Sequence, residues 1–221
     1  ENGYLRNLWF TQDVKLDSQE ELNLKYPSIY KKVGDVEKFI RSYIKSKVPL
    51  LILHGEKGTG KSWFAHQVNR IMHPSWSMLL VRNEKVLESC EFWEDAIYER
   101  VVLLDDLDKF LEKRLDTGSS VTGSILSLTG GVIELRSKII ITTNLTCNID
   151  EAFLRPGRTF AVIRLFPHTK EEAKRLLEYW GCEDKIPQLR VKDTWTLAEL
   201  YALRRKEFYK EEFYKFQKER G

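Results

Sequence analysis

Cysteine is scarce in this 221-residue chain: Cys90, Cys147 and Cys182 stand far apart, with no C-x-x-C spacing. That argues against a disulfide framework and a cysteine-built zinc site, and it points to a reducing, cytoplasmic setting. Long apolar runs are missing too. No stretch approaches the roughly 18 residues of a membrane span and no basic-then-apolar leader opens the chain, so no transmembrane segment or signal peptide is expected. Charge of one sign is also lacking, because 36 Lys+Arg against 33 Asp+Glu leave a formal net charge of +3. So small an excess gives no global electrostatic footprint for nucleic acid, although local patches stay open. An initiating methionine is absent. The chain starts at Glu1, which reads as the start of a fragment, with residues 1–30 as a linker from a missing N-terminal part.

Glycine is concentrated where it has chemical meaning. Residues 55–62 read Gly-Glu-Lys-Gly-Thr-Gly-Lys-Ser, after the continuously apolar run Val48–His54 and before an amphipathic stretch. An apolar run of this length, closed by a glycine, fits a strand buried on both faces of a parallel sheet. Gly55, Gly58 and Gly60 let the backbone turn its N–H groups inward, and the positive end of the following helix completes an anion cradle. The strand, loop and helix in this order predict a nucleoside triphosphate site contacted by Gly55, Glu56, Lys57, Gly58, Thr59, Gly60, Lys61, Ser62 and Trp63. Lys61 is expected at the β and γ phosphates and the Ser62 hydroxyl on magnesium. His54 and His66, which flank the loop, read as packing or surface residues.

The rest of the chain alternates helix and strand. Residues 35–46 carry Val36, Phe39, Ile40 and Tyr43 as a helical stripe with Asp35 as N-cap. Further strands are expected at 77–82, 101–104, 138–143 and 159–166, with Phe92, Trp93, Ala96 and Ile97 in a helical or irregular segment between the first two of these. Strands separated by helices imply parallel pairing through right-handed crossovers, and so an α/β three-layer core over 1–166 with a five-stranded parallel sheet. Pro167 breaks the pattern. Residues 167–221 read as a small all-helical domain: Thr169 and Glu172 form a capping box, the first helix ends at Gly181, and Asp193 or Thr194 caps a second helix bearing Leu197, Leu200, Tyr201 and Phe208. The tail from Arg204 to Arg220 interleaves basic and aromatic residues. A helix packing its apolar side elsewhere is the preferred reading, with a nucleic-acid or partner surface as the alternative.

Two strand ends carry further chemistry. Val101-Val-Leu-Leu-Asp105-Asp106 is a buried strand presenting acids, with Asp105 placed to hold magnesium and Asp106 to orient the attacking water. Asp108 is either a further acid or a helix cap. Ile139-Ile-Ile-Thr142-Thr143-Asn144 is a second such strand, in which Thr142 and Thr143 read as strand-end packing. Asn144 resembles the water-binding sensor of AAA+ ATPases, and Arg155 and Arg158 in Leu154-Arg-Pro-Gly-Arg158 resemble their paired arginine fingers. Together with the two preceding motifs the resemblance covers about residues 30–180 and falls in the AAA branch in the narrow sense. It implies a P-loop NTPase core with a helical lid, ATP and magnesium as cofactors, and hydrolysis at the interfaces of a ring, a hexamer, whose neighbouring subunit supplies Arg155 and Arg158. It also places Val33 and Gly34 where relatives wrap backbone around the adenine.

The departures from that pattern bear on the work done. Most relatives have Glu where this chain has Asp106, which implies slow hydrolysis or a differently held water. The aromatic, apolar and glycine triplet that grips polypeptide is missing from Arg82–Cys90, so the usual threading is not expected. The loop 116–124, small and polar, reads equally as pore-facing or as ordinary surface. The stretch from Ser124 to Gly131 is similar to the group of the mitochondrial Rieske-protein translocase, and Glu91–Ile97 is similar to superfamily 3 viral helicases. The reading is therefore an ATPase that remodels or translocates a protein or nucleoprotein partner. A nucleotide-gated scaffold with little turnover, or a nucleic-acid helicase or loader, stand as alternatives.

Overall fold

The computed structural model describes residues 8–10, 15–75, 78–81, 87, 92, 101–106, 137–144, 149 and 151–205. Among these, six strands form one sheet: β1 (Leu8–Phe10), β2 (Leu50–His54), β3 (Leu79–Val81), β4 (Val101–Leu104), β5 (Lys138–Thr143) and β6 (Thr159–Arg164). Their spatial order is β1-β3-β4-β5-β2-β6. The strands β2 to β6 pair in parallel, the five expected from the sequence, while β1 adds an antiparallel edge beside β3. Buried side chains alternate between two core clusters. Leu50, Ile52, Val102, Leu104, Ile139 and Ile141 belong to one, and Leu51, Leu53, Val101, Leu103 and Ile140 to the other. A period of two with both phases apolar is why these strands read as unbroken hydrophobic runs.

Among the described residues four helices precede β3: α1 (Gln19–Lys25), α2 (Pro27–Val33), α3 (Val36–Lys45) and α4 (Lys61–Met72). In α3 the Asp35 side chain accepts from the Lys38 amide at 3.0 Å, as the cap was read. Its Val36, Ile40 and Tyr43 pack with Phe64, Ala65 and Val68 of α4 in the cluster that holds Leu51 and Leu53. Of the expected linker over residues 1–30, the part from Gln19 onward packs on the core. Leu22, Tyr26 and Ile29, spaced four and three apart, are buried in that same cluster, so α1 and α2 are built into the core.

The sequence after β6 forms a second, smaller cluster of elements: β7 (His168–Thr169), α6 (Lys170–Tyr179), a 3-10 segment (Glu183–Val191), β8 (Thr194–Trp195) and α7 (Leu197–Arg205), with the short α5 (Glu151–Leu154) preceding β6. Ala173, Leu176, Leu177, Leu189, Trp195, Leu197 and Leu200 make its own core. The Thr169/Glu172 capping box is present. A two-residue antiparallel pair, β7 with β8, joins the expected helices. It claims Thr194 as a strand residue, so the cap of α7 is not Asp193 or Thr194. Thr196 takes that role instead: its hydroxyl accepts from the Glu199 amide at 3.3 Å while Glu199 accepts from the Thr196 amide at 2.9 Å.

The topology opens a crevice at the carboxyl ends of the parallel strands. Strand β2 lies between β5 and β6, yet the chain leaves it through α4 to reach β3 on the far side of β4 and β5. Ligands of open α/β sheets bind at such a switch point.

Candidate nucleotide site

The turn after β2 has a shape that only glycine supplies. At Gly55 a Cβ would stand 2.2 Å from the Leu165 carbonyl oxygen, because the chain leaving β6 donates the Leu165 amide back to His54 at 2.8 Å. Gly60 caps α4 with φ 91°, in the left-handed region. The amide of Phe64 donates to the Gly60 carbonyl at 2.9 Å, the first bond of the α4 ladder. The amides of the preceding turn have no helical carbonyl to meet and sit at the positive end of the helix, as an anion site requires.

Lys61 heads this helix and is buried. Its ammonium donates to the Gly55 carbonyl (2.7 Å), the Glu56 carbonyl (2.9 Å) and Asn144 Oδ1 (3.0 Å). Two of these acceptors are carbonyls of the loop itself, so the cation is held over it. Ser62 Oγ donates to Asp105 Oδ1 at 2.9 Å. Across the cleft, Asn144 Nδ2 donates to Asp106 Oδ1 at 3.1 Å. The Asp106 amide donates to Thr142 Oγ1 at 3.1 Å, and that hydroxyl donates to Asp105 Oδ1 at 2.8 Å. The ends of β4 and β5 and the first turn of α4 are thus joined through one hydrogen-bonded network. His66, one turn along α4, is held below its ordinary pKa by burial, with Asp105 pulling the other way.

The network lines a cleft of about 390 Å³ that includes Lys57, Gly58, Trp63, Asp106 and Asn144 on the core side. Its far wall is α7: Leu197, Ala198 and Tyr201 face in, and the Ala198 amide donates to the Gly58 carbonyl at 3.0 Å. The donor set fits the implied cofactors. A serine hydroxyl beside one carboxylate is a hard-oxygen pair of the kind magnesium uses when phosphates complete its shell. Among the described residues no group of three or more His, Cys, Asp or Glu is arranged for a metal, so the fit is to a phosphate-supported ion and not to a dedicated cage. Trp63 and Tyr201 also line a second cavity of about 730 Å³, bordered by Asp17, Lys25 and Arg204.

Not every residue singled out from sequence reaches the cleft. Val33 and Gly34 do not line it. They close α2, where Gly34 adopts φ 73° and Val33 is exposed, and Trp63 and Tyr201 provide the apolar walls instead. Thr59 turns its hydroxyl to the Glu56 carbonyl at 2.8 Å, and the Glu56 side chain is exposed. Arg155 is exposed, and neither it nor Arg158 lines this chain's own cleft. Arg158 is half-buried and donates to the Ala152 carbonyl at 3.0 Å. The readings of Asp108, of Arg82–Cys90 apart from Leu87, of Glu91–Ile97 apart from Phe92, of 116–131, and of the tail beyond Arg205 lie outside the described residues. Sequence reasoning missed Thr142 as a partner of both acids, and it missed Leu197, Ala198 and Tyr201 as cleft walls. The Thr-x-x-Glu pattern at 196–199 was the available signal for where α7 begins.

No helix among the described residues is long and apolar enough to cross a membrane. Comparison with known proteins supports the reading of the cleft. The profile of the ATPase family associated with various cellular activities (AAA) matches residues 51–167, more than half of the chain. The chain is 29% identical over 150 residues to the vesicular-fusion protein sec18 of Schizosaccharomyces pombe, covering 57% of this chain and 18% of that protein. It is 28% identical over 157 residues to a vesicle-fusing ATPase of Dictyostelium discoideum, covering 60% and 20%. With the vesicular-fusion protein SEC18 of Saccharomyces cerevisiae it shares 27% over 203 residues, 80% of this chain and 25% of the other. The matches span a quarter or less of the length of these relatives. With a matching profile over most of the sheet, and the phosphate loop, acids and Asn144 gathered in one cleft, the chain belongs to the AAA family of ATPases and is an ATP hydrolase by class.

Proposed function

We propose that this chain is the ATP-hydrolysing module of a ring oligomer, a hexamer, that remodels or translocates a protein or nucleoprotein partner in the cytoplasm. One observation carries the reading: Lys61, Ser62, Asp105, Asp106 and Asn144 converge at one cleft, while Arg155 stands exposed outside it. A guanidinium placed so serves a neighbouring subunit's phosphates better than its own. In this reading Lys61 exchanges its carbonyl partners for the β and γ phosphates, and Ser62 and Asp105 hold magnesium. The ion, when bound, neutralises phosphate charge. Asp106 and Asn144 orient the water, Arg155 and Arg158 of the adjacent subunit complete the site, and Trp63 and Tyr201 flank the base. Residues 167–221 act as the lid on a core of 1–166, and the Ala198 to Gly58 bond is its contact with the phosphate loop.

The relatives' names, vesicular-fusion and vesicle-fusing, favour a protein partner over nucleic acid. They speak for that kind of ATPase and not for the translocase-like group, whose likeness rests on 124–131. The scaffold reading keeps one observation in its favour: Asp106 is a methylene shorter than glutamate, and its Oδ1 is engaged by Asn144. Magnesium-dependent phosphate release separates the two. The motor reading expects specific activity to rise with protein concentration, to vanish in Lys61→Ala, and to fall about 10³-fold or more in Arg155→Ala. Activity independent of concentration and untouched by Arg155→Ala would remove the trans arginine. ATP-driven assembly with background phosphate release would select the scaffold.

A further inference from the structure

We propose that Thr142 is a positioning residue that aims both acids of the site at once; the inference rests on the ATPase reading above. The register of β4 against β5 pairs Leu104 with Ile141, which sets Asp105 level with Thr142 one step further along. Thr142 is fully buried, and its hydroxyl has one proton and two lone pairs to spend. The proton goes to Asp105 Oδ1 at 2.8 Å and a lone pair takes the Asp106 amide at 3.1 Å. One atom therefore fixes the carboxylate assigned to the metal and the backbone of the residue assigned to the water.

The backbone of Asp106 shows why such a hold is required. Its φ is 56°, and among the described residues it is the sole non-glycine in the left-handed region. A conformation of that kind persists where the surroundings over-determine it. Thr142 grips the Asp106 amide and Asn144 its carboxylate, and the two grips together define where the acid points. The bond to Asp105 has a further use. Ser62 Oγ also donates to Asp105 Oδ1, but that oxygen is itself assigned to magnesium, whose binding would draw on its lone pair. Thr142 is not in the ligand set, so its bond does not compete with the ion. This is the arrangement by which groups behind a metal ligand tune affinity.

Valine and serine separate positioning from packing, because valine keeps the shape of threonine without its hydroxyl and serine keeps the hydroxyl without its methyl. A fluorescent ATP analogue is titrated into the full chain in EDTA and then with increasing magnesium, alongside steady-state ATPase assays and thermal midpoints. Thr142→Val is expected to bind the analogue in EDTA within about twofold of wild type. It should need about tenfold more magnesium for half-saturation and lose at least about tenfold in kcat, with KM little changed. Thr142→Ser should restore both to within about threefold of wild type. A purely structural role reverses the order, with valine active and serine impaired, and that result overturns the proposal. So does a valine variant with wild-type magnesium requirement and kcat. If the valine variant does not fold, the serine variant decides alone: a wild-type magnesium requirement upholds the inference and its loss overturns it. Failure of the wild-type chain to bind the analogue at all would instead bring down the ATPase reading.

Discussion

Lys138 opens β5 at the end of the sheet opposite the nucleotide cleft, and its side chain is buried there. The ammonium donates to the Ser46 carbonyl and lies 5.3 Å from the centre of the Tyr43 ring. Those contacts do not restore full hydration, and burial lowers its pKa from 10.5 to about 8. An unfolded chain keeps this lysine protonated up to its ordinary value. Between pH 8 and 10.5 the unfolded state therefore binds more protons than the folded one, and the lysine's contribution to stability rises with pH. Below pH 8 both states are protonated and the contribution is flat. Urea unfolding of wild type and Lys138→Met at pH 7, 8.5 and 10 isolates this group, since other titrations cancel in the difference. The expected outcome is a wild-type stability that gains on the variant over the upper interval. A difference that stays constant or runs the other way would refute the lowered pKa.

At the level of elements, the docking of α7 on the phosphate loop turns on one capping residue. Thr196 starts α7 through its reciprocal bonds with Glu199, and two residues later the Ala198 amide reaches Gly58. Thr196→Ala removes the hydroxyl and is expected to cost about 1 kcal/mol of stability. Hydrogen exchange at the Ala198 amide should accelerate in the variant, because a frayed first turn no longer presents that donor to the loop. Unchanged exchange with lowered stability would mean that α7 docks through Leu197 and Tyr201 alone. This junction also shows where sequence legibility ends. The phosphate loop, the β4 acids and Asn144 were readable because each follows an apolar strand by a fixed short spacing and its chemistry is local. The five parallel strands were readable for the same reason. The bonds of Thr142 to the two acids were not readable because they depend on the register between β4 and β5, which no stretch of sequence states. Val33 and Gly34 were assigned from family position. Here the turn they form closes α2, and the cleft walls come from α4 and from α7, more than 130 residues apart in the chain.

At the scale of the whole molecule, three segments far apart in the chain meet around Lys25 of α1. The residue is buried at 1% exposure, with Asp17 and Glu21 each at 2.8 Å. Its ammonium lies 5.2 Å from the centre of Tyr201, 5.3 Å from Trp63 and 5.9 Å from Trp180. The indole of Trp63 donates to Asp17 and that of Trp180 to Glu21, both at 2.9 Å. Segment 15–25, helix α4 and the C-terminal elements thus meet on one cation, beside the aromatic walls of the cleft. Burial alone would lower Lys25, but its bonds to Asp17, Glu21 and Tyr201 outweigh that and leave it raised. Burial likewise pushes Glu21 up, and the bonds from Lys25 and Trp180 bring it below 4.5. A lowered carboxylate stabilises the fold above its ordinary pKa, and that contribution is lost as pH falls through the folded value. Lys25→Met leaves two half-buried carboxylates without their cation, and should cost about 2–3 kcal/mol at pH 7, less than a fully buried pair. In the variant the bond and charge of Lys25 no longer lower Glu21, so its pKa rises relative to wild type, with Trp180 and Arg204 still opposing burial. The two proteins should accordingly converge in acid: as pH falls from 7 to 5 the stability deficit of the variant shrinks, because its Glu21 protonates at higher pH than that of wild type. Urea titrations at pH 7, 6 and 5 read this directly. Parallel pH profiles would show that the ion pairs are bystanders to aromatic packing, and that Lys25 joins the three segments through its aliphatic stem and its contacts with the rings.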